Sequence, residues 1–409
     1  MTPLSDSEHR AWLAAEAVRL VDFARESRHP DGGFAWLGSN GEPLLAKPVE
    51  LWITARMTHV FALGQLLGLP GCEELVDHGI DALNGRLHDD RHGGWFTAVG
   101  SSAPIITDKE AYGHAFVVLA ATSANAAGHP DAHWLLADAL GVLDERFWDE
   151  PYGMVVDRCD ETWATTDPYR GVNANMHTVE AYLAASDVTG DPGWRDRALR
   201  ITERVLGYGA AGSWRLPEHF DTTWTPQLEY NRDHPADPFR PYGATVGHGL
   251  EWARLALALA EGLGEGAPAT LRDGAVALFD RAVSDGWSVD GEPGLVYTTD
   301  WSGVPVVRQR MHWVAAEATA TATVLHRATG DERYARWERL FWEHIRELFV
   351  DSAHGSWHHE LDPANHPSAS IWHGKPDVYH ALQAVLLPRL PTTPSFATAL
   401  AQGRLDMPE

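Results

Sequence analysis

The sequence predicts an all-α protein and, within that class, an (α/α)6 barrel: six helical hairpins closed into a toroid, with long Gly/aromatic loops at one end. Three observations carry this reading. Gly-aromatic segments recur at Gly33-Phe34, Gly94-Trp95, Gly153-Met154, Gly212-Ser213-Trp214, Gly294-Leu295-Val296-Tyr297 and Gly355-Ser356-Trp357. Their glycines are spaced by roughly 60 residues, with one longer interval of roughly 80 after Gly212, slightly above the usual solenoid periods. Between them lie pairs of apolar-periodic stretches parted by short Gly-led stops: Gly68-Leu-Pro-Gly71, Gly128-His-Pro-Asp131, Thr189-Gly-Asp-Pro192, Gly264-Glu-Gly-Ala-Pro268 and Thr329-Gly-Asp331. The connections thus alternate, short turn then long loop. An αα-hairpin array that stays open is a solenoid; one that closes after six pairs has an inner and an outer ring.

The elements follow in order. Ser5-x-x-Glu8 reads as a capping box. It opens a helix over 8–28, in which Trp12, Ala15, Val18, Leu20, Val21 and Phe23 recur at helical spacing. Further helices are predicted over 48–67, 72–88, 108–126, 131–148, 171–189, 192–208, 244–263, 267–285, 310–328, 332–350 and 375–391. Every second one carries small residues (Ala55, Ala62; Ala115, Ala120; Ala174, Ala181; Ala253, Ala260; Ala315, Ala320), as a crowded inner ring requires. The others carry charge, as in Trp194-Arg-Asp-Arg-Ala-Leu-Arg200 and Tyr334-Ala-Arg-Trp-Glu-Arg339, as an outer ring would. Nothing marks a linker, so residues 1–409 read as a single domain.

Composition narrows the function. Hydrophobic residues make up 44% of the 409 and there are 18 Trp, ample for a large core. The formal net charge of −25, from 57 acidic and 32 basic residues, argues against nucleic acid and anionic membranes as partners. Cys72 and Cys159 form no CxxC and no metal-ligand spacing, which suits packing roles in a reducing compartment. The N-terminus lacks a basic segment followed by an apolar run, and no stretch of about 18 apolar residues occurs. A cytoplasmic protein, a monomer or weak homo-oligomer, is expected.

The chemically versatile side chains cluster in the first two turns of the inner helices. These are Trp52 and Arg56; Asp108-Lys-Glu-Ala-Tyr112-Gly-His114; Asn173-Ala-Asn-Met176-His177 with Glu180; His248 with Glu251; Met311-His-Trp313 with Glu317; and Gly374-Lys375-Pro-Asp377-Val-Tyr379-His380. Helices of an inner ring all start at the same end, so these turns are expected to line one cavity mouth whose positive helix ends favour oxygens. Aromatic faces pack on sugar C–H surfaces, and planar polar groups hold hydroxyls. Each residue also has a plainer role. Trp52 and Trp313 suit a core as well as a ligand, Met176 suits a pocket wall, and His248–Glu251 and His177–Glu180 suit structural pairs. Arg56 on an inward face is costly unless paired or bound. Three histidines, His177, His248 and His380, at three inner-helix starts favour function; His92, His312, His358, His359 and His373 read as packing, loop or surface residues. There is no HExxH, no facial triad and no Walker loop. His248-x-x-Glu251 offers two metal ligands, but no metal or other cofactor is expected.

Five separated motifs, Trp52-Ile-Thr-Ala-Arg56, Tyr112-Gly-His-Ala115, Asn173-x-x-Met-His177, Gly247-His248-x-x-Glu251-Trp252 and Lys375-x-x-x-Tyr-His380, resemble the N-acylglucosamine 2-epimerase superfamily. The resemblance runs from about residue 10 to 392, with the aldose–ketose isomerase branch, mannose and sulfoquinovose isomerases, most similar. It implies the (α/α)6 barrel and metal-free proton transfer between C1 and C2 through a cis-enediol. His248 and His380 match the acid/base pair. Arg56, Trp52, Tyr112, Asn173, His177, Glu251 and Trp313 match sugar-binding positions, with Met176 at the pocket wall and Arg240 a further contact.

The chemistry agrees. Moving a proton between adjacent carbons needs a base and an acid that work near neutral pH, which imidazole supplies. Glu251 is expected to fix the tautomer of His248, and Arg56 to stabilise charge on the enediolate oxygens. The expected activity is D-mannose/D-fructose isomerisation, and also D-lyxose/D-xylulose. The alternatives are sulfoquinovose–sulfofructose isomerisation, a mannose/glucose or cellobiose-type 2-epimerisation, a glycosidase or lyase using facing carboxylates among Asp108, Glu110, Glu180, Glu251 and Glu317, and a non-catalytic sugar-binding protein.

Overall fold

A computed structural model of the chain describes residues 4–407. The helices are α1 Asp6–Ala24, α2 Leu51–Leu66, α3 Cys72–Asn84, α4 Ala111–Ala126, α5 Ala132–Val142, α6 Val172–Thr189, α7 Pro192–Ala211, α8 Val246–Leu263, α9 Ala269–Gly286, α10 His312–Thr329, α11 Glu332–His344, α12 Tyr379–Leu386 and α13 Phe396–Ala401. The predicted helices all exist, and α13 is an addition that the sequence pattern did not reveal. α5 and α11 each run on through a wide π turn, Leu143–Phe147 and Ile345–Phe349. The capping box forms as read: Ser5 Oγ donates to Glu8 Oε2 over 2.6 Å while the Glu8 amide donates to Ser5 Oγ over 3.4 Å.

The chain sorts into two compact units, one centred on Val18–Ile201 with Lys375–Tyr379, the other on Thr202–Gly374 with His380–Thr393. In the first, α2 packs on α3 and α4, and α4 packs on α5 and α6. In the second, α8 packs on α9 and α10, and α10 on α11. The even helices are buried along most of their length, polar residues included; α2 is buried without interruption from Leu51 to Gly64. α11 instead buries Tyr334, Phe341 and Trp342 on one face and turns its charges outward. Full burial of such a side chain stabilises by about 1.5–3 kcal/mol. Gly79 lets α3 come close to α2, because a Cβ there would strike Thr58 Oγ1.

The inner helices start one to four residues later than the sequence pattern predicts. The residues in front of them are short strands: Val49–Glu50 pairs with Ala98–Val99, Lys109–Glu110 with Arg158–Cys159, Ala244–Thr245 with Thr298–Thr299, and Arg310–Met311 with Glu360–Leu361. Each helix then donates its first amide to a carbonyl of the next repeat's loop: Leu51 to Thr97, Ala111 to Asp157, Val246 to Tyr297 and His312 to His359. Glu50, Glu110, Gly171, Thr245 and Met311 stand at the N-caps in extended conformation with no side-chain cap. Asp108-Lys-Glu and Gly374 to Asp377 are therefore not helical, a correction to the predicted starts. A long-range strand satisfies the amides that a local cap would otherwise serve.

Two buried ion pairs stand at equivalent points in the two units. Lys109 Nζ lies 2.7 Å from Asp89, and Arg310 Nη2 lies 2.7 Å from Asp290, each cation just before an inner helix and each anion in the preceding Gly/aromatic loop. Removing one partner of such a pair costs about 3–5 kcal/mol, because it strands a buried charge. Among the described residues, no helix is long and apolar enough to cross a membrane. Cys72 and Cys159 are both buried free thiols, as packing roles require.

Candidate active site

In the unit centred on Val18–Ile201, the first turns of α2, α4 and α6 meet Asp377 and Tyr379 around Arg56. Arg56 is buried, donates through Nη2 to Tyr112 Oη over 2.8 Å, and pairs through Nη1 with Asp377 Oδ2 at 3.2 Å. Its guanidinium carbon lies 4.3 Å from the Phe116 ring, 4.6 Å from Tyr379 and 5.1 Å from Trp52. Burial opposes its charge, yet neighbouring Tyr112, Asp377 and Tyr379 hold it above the ordinary arginine range. The ring of His177 lies 4.6 Å from Phe116 and 5.2 Å from Tyr112, and its Nδ1 is 3.6 Å from Glu180. Glu180 also accepts the Tyr379 hydroxyl. Trp52 donates its indole N–H to Glu50 and meets Trp36 edge-on.

Asn173 is half-buried, and its Oδ1 has no hydrogen-bond partner among the described residues. Met176 is fully buried, consistent with packing. The neighbours of these residues are structural. Asn175 binds the Val155 backbone at both ends of its amide. His114 joins Glu110 O at 2.7 Å and the Trp95 amide at 3.1 Å; burial lowers its pKa to about 3.

In the unit centred on Thr202–Gly374, a second cluster forms on the first turns of α8, α10 and α12. His248 Nδ1 lies 3.0 Å from Glu218 Oε1, and His380 Nδ1 lies 3.0 Å from Glu317 Oε1. Each imidazole therefore has a carboxylate near Nδ1; at His380 the contact is a hydrogen bond, which favours the proton there and leaves Nε2 for exchange, and at His248 it is an ion-pair approach. The Trp313 ring centroid is 5.1 Å from that of His248 and 5.8 Å from that of His380. Gly247 makes this possible, because a Cβ there would fall on the Trp313 ring. Arg254 Nε lies 2.7 Å from Glu317, and its Nη2 lies 3.6 Å from Glu251.

One expectation is corrected here. Glu251 is not the partner of His248; on the same helix it turns toward Arg254, and Glu218 from the loop after α7 takes the imidazole. Glu218 and Arg254 escaped the sequence reading. Glu218 sits in Leu216-Pro-Glu-His219, with no helical spacing to the histidine; Arg254 is at i+3 from Glu251, a spacing that could have drawn attention to it. Arg240, in the loop before α8, is partly exposed and reaches the Tyr230 hydroxyl at 3.4 Å. His312 stacks on His359 at 3.7 Å, a packing role as read.

Glu251, Glu317 and His380 offer ligand atoms within 4.8 Å of one another. The Arg254 guanidinium already lies against both carboxylates, so the set is charge-compensated by protein.

Known proteins share this sequence and fold. The N-acylglucosamine 2-epimerase (GlcNAc 2-epimerase) family pattern matches residues 32–384. A D-mannose isomerase of Thermobifida fusca is 54% identical over 396 residues, covering 96% of this chain and 97% of that protein. A D-mannose isomerase of Pseudomonas cannabina pv. alisalensis is 49% identical over 402 residues, covering 97% of each. The chain belongs to the N-acylglucosamine 2-epimerase family. Among solved structures, a D-mannose isomerase superposes with a TM-score of 0.86 at 28% identity, covering 92% of this chain and 96% of that one. The cellobiose 2-epimerase of Spirochaeta thermophila DSM 6192 superposes at 0.83 with 23% identity, covering 97% of each chain, a likeness of fold alone. The all-α, (α/α)6-barrel class read from the sequence is the fold of these relatives.

Proposed function

We propose that this protein is an aldose–ketose isomerase that interconverts D-mannose and D-fructose, and also D-lyxose and D-xylulose, without a metal. The observation that carries the reading is the pair of buried imidazoles, His248 and His380, each with a carboxylate 3.0 Å from Nδ1. The long, near full-length identity to proteins named D-mannose isomerase supports the choice of sugar.

His248 first opens the pyranose, moving the anomeric hydroxyl proton to the ring oxygen. His380 then takes the C2 proton through Nε2 as the C1=C2 bond forms, leaving the cis-enediolate with its charge on O1. His248 carries the O2 proton to O1, through the cis-enediol stage, and return of the His380 proton to C1 leaves the C2 carbonyl of the ketose. Glu218 and Glu317 stabilise each imidazolium as it forms, and Arg254 shares the charge of Glu317. Arg56, Trp52, Tyr112, Asn173, His177, Glu251, Trp313 and Arg240 are the proposed sugar contacts, with Met176 behind them. The site works in a cytoplasmic, monomeric or weakly associated protein.

Product NMR on D-mannose, D-lyxose and sulfoquinovose, run in deuterated solvent with a chelator, tests this. Fructose formation with deuterium appearing at C1 is expected. Turnover of sulfoquinovose alone, or loss of activity on chelation that an added divalent ion restores, defeats the reading.

A further inference from the structure

We infer that Glu218 is a positioning residue: it dictates which nitrogen of His248 carries the proton, and so which one meets the substrate. The inference rests on the isomerase reading for its kinetic consequence, but not for its geometry. Glu218 Oε1 and His248 Nδ1 lie 3.0 Å apart, and the side chains of both are almost fully enclosed, at 3% and 10% exposure. Neither atom makes a well-aligned hydrogen bond to any described residue, each other included, so their contact is a 3.0 Å ion-pair approach. Two enclosed polar atoms at this distance favour each other electrostatically, and a small turn of the ring lines them up, because either left alone bears its full desolvation cost.

The carboxylate accepts and cannot donate, so the shared proton belongs to Nδ1 and the lone pair to Nε2. A histidine with the opposite tautomer presents an N–H where a base is needed. Glu218 stands one residue before the strand His219–Phe220, and the neighbouring imidazole of His219 bonds to Pro241 O at 2.8 Å. The Glu218 backbone thus belongs to an anchored segment, and the carboxylate is held from a different element than the histidine it orients. The partner of His380 differs in this respect: Glu317 is hydrogen-bonded to His380 and shared with Arg254, whereas Glu218 Oε1 stands 3.0 Å from His248 with no hydrogen bond to any described residue.

The test combines kinetics with ¹⁵N-histidine NMR on the full chain, the His248 signal being assigned by its loss in His248→Asn. In the parent, neutral His248 is expected as the Nδ1–H tautomer. Glu218→Ala is expected to shift it toward Nε2–H. Glu218→Gln, of the same shape but uncharged, is expected to lower kcat roughly 10- to 100-fold with KM within about threefold. An Nε2–H tautomer in the parent overturns the inference, as does a tautomer and kcat unchanged by both substitutions. If Glu218→Ala does not fold, the parent tautomer and the Glu218→Gln kcat decide. A parent inactive on every aldose tried defeats the isomerase reading alone, since the tautomer measurement still reports on Glu218.

Discussion

The Arg56 cluster and the His248/His380 cluster use the same device, the first turn of an inner helix, to opposite chemical ends. Around Arg56, one cation is wrapped by Trp52, Phe116 and Tyr379 and matched by Asp377. Such a group keeps its charge at any physiological pH, so it can bind but cannot exchange protons. Around His248 and His380, the groups are imidazoles with Glu218 and Glu317 beside them, side chains able to give and take a proton. A helix start supplies position, and its neighbours decide whether the side chain placed there is a fixed charge or a proton carrier.

The comparison breaks most visibly at the proton carriers. His380→Asn is expected to lower kcat by about 10²- to 10⁴-fold and to abolish exchange of the substrate C2 hydrogen with deuterated solvent. Exchange at the parent rate would assign that proton elsewhere. Glu317→Gln comes next, with kcat down roughly 10- to 100-fold. Because it also removes the charge 2.7 Å from the buried Arg254, urea unfolding should show a loss of about 3 kcal/mol.

On the fixed-charge side the effect should move from kcat to KM. Arg56→Lys keeps the charge but loses the fork that spans Tyr112 and Asp377, and KM for mannose is expected to rise about tenfold with kcat little changed. A kcat loss equal to that of His380→Asn would erase the distinction between the regions.

Buried histidines outside the proposed acid/base pair set the acid limit of both units. Burial lowers the pKa of His59 to about 4 and of His114 to about 3 in one unit, and of His344 to about 4 in the other. An unfolded histidine titrates near 6.5, so between there and the folded value the unfolded chain binds protons that the folded chain refuses. Stability is then full above about pH 6.5 and falls on acidification, by about 1.4 kcal/mol per pH unit for each histidine. Urea midpoints at pH 7, 6 and 5 should decline, and His114→Gln should flatten the decline. The smallest effect is expected at the rim: Arg240→Ala should change kcat/KM by less than about threefold, since the side chain is partly exposed and its hydrogen bond to Tyr230 is long.

Much of this was legible in the chain alone, for a physical reason. Helix pairs, their Gly-led stops and the position of each versatile residue one turn into an inner helix are local or periodic properties, and local backbone preference writes them into the sequence. Family motifs suggested the roles proposed for His248 and His380. What the sequence left open involves partners distant along the chain. The inner helices begin at Leu51, Ala111, Val246 and His312 because strands from later loops take the residues before them. Spacing paired His248 with Glu251, three residues away; folding pairs it with Glu218, thirty residues back in a loop. An i,i+3 spacing puts two side chains on one face, but which of them touch is decided by the charges that other elements bring there. Arg254, Glu317 and Glu218 arrive from three separate elements, and only the tertiary structure could sort their pairings.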